Sequence, residues 1–177
     1  MELKALLAHL ADALFVPVTV LLVLLVLWML VQIGMTLRSA AARLSGRRPG
    51  YDRYAQRLEQ APADNAYDIW LEEVVQAAEA DAGRSLGAVR FAVKVGPSLG
   101  LMGTLIPMSA ALNGLAQGDL PSLAGNMVIA FSSTVIGIAV GVVAYGLAMV
   151  QEAWARRDLD AIRIRAERLL RAHEAAA

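Results

Sequence analysis

Two stretches, VGPSLGLMGTLIPMSAALNGLAQG (residues 95–118) and LPSLAGNMVIAFSSTVIGIAVGVVAYGLAMVQ (residues 120–151), contain no charged side chain, and Asp119 alone divides them. Each is long enough to cross about 30 Å of hydrocarbon as a helix. The polar stretch Gln117-Gly118-Asp119-Leu120-Pro121-Ser122 between them reads as a reversal of chain direction. Thr104 and Thr134 then lie at matched distances either side of that reversal. At 1.5 Å per residue both hydroxyls fall ~20 Å from it, near the middle of a bilayer. Polar groups matched at that depth require a reason, and that reason bears on function.

A third uncharged run lies between Asp12 and Arg38 and supplies another span. Ala40-Ala41-Ala42 faintly resembles a signal-peptide cleavage site, but the apolar run is too long and its basic cluster follows rather than precedes it. We therefore read a retained transmembrane helix. The composition agrees: of 177 residues 58% are hydrophobic and 18% charged, with a mean hydropathy of +0.53. That profile is outside the range of a soluble globular domain. The 16 basic and 16 acidic residues cancel, so net charge gives no sign of a nucleic-acid partner. The lack of cysteine excludes disulfides, thiolate metal sites and cysteine nucleophiles. His9 and His173 stand near opposite ends of the chain, so no histidine-based metal or catalytic site is expected. No nucleophile–base pair or phosphate loop points to an enzyme.

Orientation follows from the basic residues. Arg38, Arg43, Arg47, Arg48, Arg53 and Arg57 follow the first span, Arg84, Arg90 and Lys94 precede the second, and Arg156, Arg157, Arg163, Arg165, Arg168 and Arg171 follow the third. Only Lys4 lies on the other side. The positive-inside rule places the N-terminus outside and the C-terminus in the cytoplasm. The expected organisation is an extracytoplasmic N-terminus at 1–12, spans at 13–37, 95–118 and 122–151, an outer turn at 119–121, a cytoplasmic helical segment at 38–94 and a helical tail at 152–177. Breaks are expected at Ser45–Gly50 and Gln60–Asn65. Ile69, Leu71, Val74, Val75 and Ala78, and in the tail Leu159, Ile162, Ala166, Leu169 and Leu170, recur at helical spacing. These segments are expected to pack as a helical bundle, with a protein-docking surface as the other reading.

Small residues mark the second and third spans. Gly96, Gly100 and Gly103 recur on one, and Ser133, Gly137 and Gly141 repeat every fourth residue on the other. Such rows let helix backbones approach closely in lipid. Thr104, Ser109, Ser132, Ser133 and Thr134 lie deep in the spans, with Ser98 nearer the cytoplasm. The simplest account of each hydroxyl is a bond back to a carbonyl of its own helix. Matched depth argues instead for a shared polar layer of Thr104 and Thr134, with Ser133 beside it. Pro17, Pro97 and Pro107 are hinge or kink positions that lipid-buried helices tolerate. Pro107 lacks an N–H and frees the carbonyl of Gly103, next to Thr104. The span interiors carry no Asp, Glu, Lys, Arg or His, the groups of intramembrane proton relays. If the chain moves protons, a partner must therefore bring the carboxylate.

The run Gly96-Pro97-Ser98-Leu99-Gly100-Leu101-Met102-Gly103-Thr104-Leu105 resembles the second-span signature of the MotA/TolQ/ExbB proton channel family. Ala130-Phe131-Ser132-Ser133-Thr134-Val135-Ile136-Gly137-Ile138-Ala139 is similar to that family's following span. The motif covers about Gly96 to Tyr145, and the three-span topology resembles the TolQ/ExbB branch. The resemblance implies a homo-oligomeric, pentameric ring in the bacterial inner membrane, all α-helical. The ring surrounds a dimeric single-span partner of the MotB/TolR/ExbD type, which carries an intramembrane aspartate. It also implies that Thr104 and Thr134 are pore threonines and that Pro97 opens the second span. Many relatives have glutamate where this chain has Ile129, which removes a pore carboxylate from the ring, and often glycine where it has Pro107. The cytoplasmic segment is too short for the flagellar stator's switch-engaging loop. The expected function is the ring subunit of an ion-driven stator, without cofactor, moving H⁺ or alternatively Na⁺. A non-conducting scaffold packed through its glycines is the other reading.

Overall fold

The structure, a computed structural model, describes residues 2–60 and 67–175. These residues form four helices: α1 (Glu2–Leu44), α2 (Pro49–Glu59), α3 (Tyr67–Ala116) and α4 (Leu120–Glu174). Three helical segments, Ala13–Leu44, Tyr67–Ala116 and Leu120–Glu174, are long and apolar enough to cross a membrane. α3 and α4 each run unbroken through the points where the uncharged runs meet charged sequence, so span and extension are one helix. The break expected at Gln60–Asn65 lies, beyond Gln60, outside the described residues. The last two residues of the tail and the side chains of Lys4 and His9 are outside them as well.

Glycine in the left-handed region ends two of the helices. At Gly118 (φ 76°) the amide of Asp119 donates to Gly114 O at 2.9 Å and that of Gly118 to Leu115 O at 3.0 Å, satisfying carbonyls that the end of α3 would leave open. Asp119 then caps α4: its Oδ1 accepts the amide of Ser122 at 3.1 Å. Pro121 sits in the first turn of α4, where a missing N–H costs nothing. Gly46 (φ 81°) closes α1 in the same way, with Arg47 N donating to Ala42 O at 3.0 Å.

The chain divides into two compact units. The first comprises Met1–Gln32 and Arg90–Gly146. In it Val18, Leu22 and Met29 bury one stripe of α1, while Val16, Val20, Leu24, Leu27 and Leu30 remain at least half exposed. Its interior is built from small residues: Ala92, Ala111 and Ala144 are fully buried, and Ala130 and Val140 nearly so. Apolar surface left open at this density suits hydrocarbon rather than water.

The second unit comprises Ile33–Val89 and Leu147–Ala177. Its core joins Tyr54 and Leu58 of α2, Leu71, Val74 and Ala78 of α3, and Ile162 and Ala166 of α4. Leu159, Leu169 and Leu170 pack around that core. α1 and α4 lie alongside each other here in one register. Gln151 Nε2 donates to Thr36 Oγ1 at 2.8 Å, and Arg43 pairs with Asp158, both contacts joining residues 115 apart. The Arg43 guanidinium also lies over the Trp154 ring, 4.9 Å from its centroid. Arg163 with Glu79 (2.5 Å) and Arg165 with Glu59 tie α4 to α3 and to α2. Tyr54 donates its hydroxyl to Asp81, and burial followed by that contact holds its pKa above the usual tyrosine value.

Candidate ion-pathway site

Within the first unit α3 and α4 run antiparallel from the Gly118 turn, and they meet backbone to backbone. A Cβ built on Gly137 would lie 2.6 Å from Gly100 Cα and 2.7 Å from Gly96 O. One on Gly96 would lie 3.0 Å from Gly137 O, one on Gly103 2.7 Å from Ser133 Cβ, and one on Gly141 2.7 Å from Pro97 Cγ. No larger side chain fits at these positions without moving a helix. Each step along α3 from Gly96 through Gly100 to Gly103 is matched by a nearly equal step back along α4 from Gly141 through Gly137 to Ser133.

That register fixes the threonines. Thr104 is seven residues beyond Pro97 and Thr134 seven before Gly141. Seven residues are nearly two turns and return to the same helix face within ~20°. Pro97 packs on Gly141 and Gly103 on Ser133, and by these two contacts Thr104 and Thr134 come level with each other to within ~3 Å. Both are half-buried. Ser133 is adjacent and sits over Gly103.

The hydroxyls differ in what they have left to offer. Thr104 donates to Leu101 O at 2.7 Å, Ser133 to Ile129 O at 3.0 Å, Ser132 to Val128 O at 2.8 Å and Ser98 to Lys94 O at 2.9 Å. Among the described residues Thr134 and Ser109 make no such bond. A hydroxyl has one donor and two acceptor positions. Thr104 therefore presents acceptor lone pairs only, whereas Thr134 keeps both its donor and its acceptors. Pro107, buried, cannot donate to the carbonyl of Gly103, which is left as one more acceptor beside Thr104. Pro97 does the same to Val93 O, and Pro17 to Ala13 O. Among the described residues no group of three or more His, Cys, Asp or Glu could hold a metal.

The sequence does not single out the part-buried pair of Thr36 and Gln151 in the second unit. A threonine in the first uncharged run and a glutamine ending the third were its signals, but neither residue names the other.

Long apolar helices, a pair of them in backbone contact, and a level of hydroxyls with no ionisable neighbour on its own chain define a polytopic membrane protein with an uncharged polar seam. Residues 47–163, two thirds of the sequence, match the MotA/TolQ/ExbB proton channel family, and the chain belongs to that family. The match begins just ahead of α2 and ends within the second-unit part of α4, well beyond the motif at Gly96–Tyr145. No curated protein and no solved structure matches the chain. Family membership makes this a channel-type protein and suggests coupling to an ion-motive force. Members of the family work in complexes with single-span partner proteins.

Proposed function

We propose that this chain is the ring subunit of an inner-membrane, proton-conducting stator that couples the ion-motive force to mechanical work on a single-span partner. The ring is a homo-oligomer, a pentamer in this reading, with the N-terminus outside and the C-terminus in the cytoplasm. The observation that carries the proposal is the level pair of Thr104 and Thr134 on a seam whose spans hold no ionisable side chain. A threonine hydroxyl does not titrate near neutral pH, so the pair acts by hydrogen bonding to a group that does. That group is an aspartate on the partner's membrane helix.

The unequal bonding of the two hydroxyls suits the two states of a carboxyl group. The free donor of Thr134 stabilises the ionised form, and the acceptors of Thr104 take the proton of the neutral form. Thr134→Val should therefore raise the partner's carboxyl pKa, and Thr104→Ala should lower it. The test is ion flux through the complex reconstituted with its partner, measured against pH. Each variant should lose roughly 100-fold or more in flux, the range for removing one positioned hydrogen-bonding group, with pH profiles displaced in opposite directions and assembly unchanged by sizing. Normal flux in both variants refutes the mechanism and leaves a glycine-packed scaffold as the reading.

A further inference from the structure

Two of the spans that continue into the second unit, α1 and α4, run in one register there. The shared offset of Thr36 with Gln151 and Arg43 with Asp158 sets Arg38 of α1 beside Ala153 of α4 in height. Arg38 is the first charge after the first uncharged run and Glu152 the first after the third. Hydrocarbon therefore gives way to headgroups at this height on both helices. Arg38, Arg156 and Arg157 all stand within a turn of it, and all three are exposed. Arg156 is neutralised by Glu152 at 2.5 Å. Arg38 and Arg157 make no ion pair or hydrogen bond among the described residues.

Beside Arg157 is an open depression of about 430 Å³ lined by Met149, Glu152, Ala153, Arg156 and Arg157. Its chemistry is divided along the helix. Met149, on the side of the span, is 57% exposed and apolar, and Leu37 of α1 at nearly the same height is 65% exposed. One turn beyond Met149 the lining becomes charged, and with Glu152 and Arg156 paired the excess charge is that of Arg157. An apolar rim facing the hydrocarbon and an unpaired guanidinium at headgroup height complement a molecule with an acyl chain and a phosphate.

We propose that this depression is a binding site for an anionic phospholipid of the adjoining leaflet. Arg157 holds the phosphate, Met149 packs against the start of an acyl chain, and Arg38 adds a second unpaired cation in the same layer. The site goes beyond ion conduction: it ties this stretch of α1 and α4 to the lipid headgroups. A free phosphate shares only the polar half of this chemistry and gains nothing from Met149.

The test uses the full-length chain, delipidated in neutral detergent and titrated with phosphatidylglycerol or phosphatidylcholine in mixed micelles. Retained lipid is quantified by mass spectrometry. A basic side chain near an anionic surface is worth roughly a fivefold change in binding. The double variant R38Q/R157Q should therefore lose ~25-fold in affinity for phosphatidylglycerol, with little change for phosphatidylcholine. R38K/R157K, which keeps both charges, should retain most of the affinity. Arg168→Gln removes an equally exposed arginine fifteen residues beyond Ala153, ~22 Å away along α4, and should have no effect. Millimolar inorganic phosphate should not displace the lipid. Any of four results overturns the proposal: phosphatidylglycerol affinity in R38Q/R157Q within twofold of the parent, an equal loss in R168Q, displacement by inorganic phosphate, or a change in oligomeric state in R38Q/R157Q without loss of lipid. The last would assign the arginines to contact between copies of the chain.

Discussion

Gly137→Ala is the perturbation that tests the α3–α4 seam most directly. The added Cβ would stand 2.6 Å from Gly100 Cα, 2.7 Å from Gly96 O and 2.9 Å from Gly100 N. All three are backbone atoms, so no side-chain rotation relieves the clash. Carbon atoms pack at about 3.5–4.0 Å, and the helices must therefore separate by ~1 Å. Overpacking of this kind costs about 1–3 kcal/mol, against which alanine's preference for helix over glycine returns up to ~1 kcal/mol. A second glycine of α4 removes the second quantity from the comparison. Gly146 has nothing within 4 Å of an added Cβ, so Gly146→Ala gains the helix preference without the clash. G137A should accordingly be less stable than G146A by about 1–3 kcal/mol. The assay is equilibrium unfolding in mixed micelles of rising dodecyl sulfate content, read by far-ultraviolet circular dichroism. Equal stabilities for the two variants would refute a seam in backbone contact, and with it the register that sets Thr104 level with Thr134.

Two further outcomes concern the second unit. Asp158→Ala removes the counter-charge of Arg43, whose side chain is only 21% exposed. The same unfolding assay should show a loss of about 3 kcal/mol, at the low end for broken buried pairs because Arg43 keeps some water and its place over Trp154. The double variant R43M/D158L should recover much of it, since no charge is then left unpaired. For Tyr54, whose pKa is raised by burial and then by Asp81, the neutral phenol is the form the fold favours. Its contribution is complete below pH 10 and is lost as pH rises through the higher folded value. Stability of the parent should fall in that alkaline range, together with the appearance of tyrosinate absorbance. Tyr54→Phe should be weaker by about 1 kcal/mol at neutral pH and lack that alkaline component.

The three spans are legible in the sequence because lipid imposes a local rule: an uncharged run of sufficient length must be helical, with its backbone satisfied within the segment. Helical spacing in Leu71, Val74 and Ala78 and in Ile162 and Ala166 is equally local, and these residues do form one core. α2 is different. It lies inside the segment read simply as helical, and the burial of Tyr54 and Leu58 depends on α3 and α4, distant in sequence. Arg43 with Asp158, and Thr36 with Gln151, pair across 115 residues, and no local period announces such a match. At the site, four-residue spacing marks Ser133, Gly137 and Gly141 as one face but is silent on what meets it. Nor does sequence decide which hydroxyls turn back on their own helix: Ser132, Ser133 and Thr134 are consecutive, and only the first two do so.

That last contrast bears on why a conducting seam would be made of glycine and threonine. A carboxylate carried by the seam itself would have to be desolvated and paired permanently, at a cost of several kcal/mol per ion in a low-dielectric interior. Hydroxyls avoid that cost because they stay neutral, but they are useful only at fixed positions. Glycine supplies the fixing: helices in backbone contact at Gly96, Gly100 and Gly137 have no side chains between them to rearrange. In the proposed stator the stationary part is thus neutral and rigid, while the charge that appears and disappears with each proton belongs to another chain. Work can be drawn from such a division, because protonation changes the partner's attraction to the Thr104–Thr134 level without changing the seam itself.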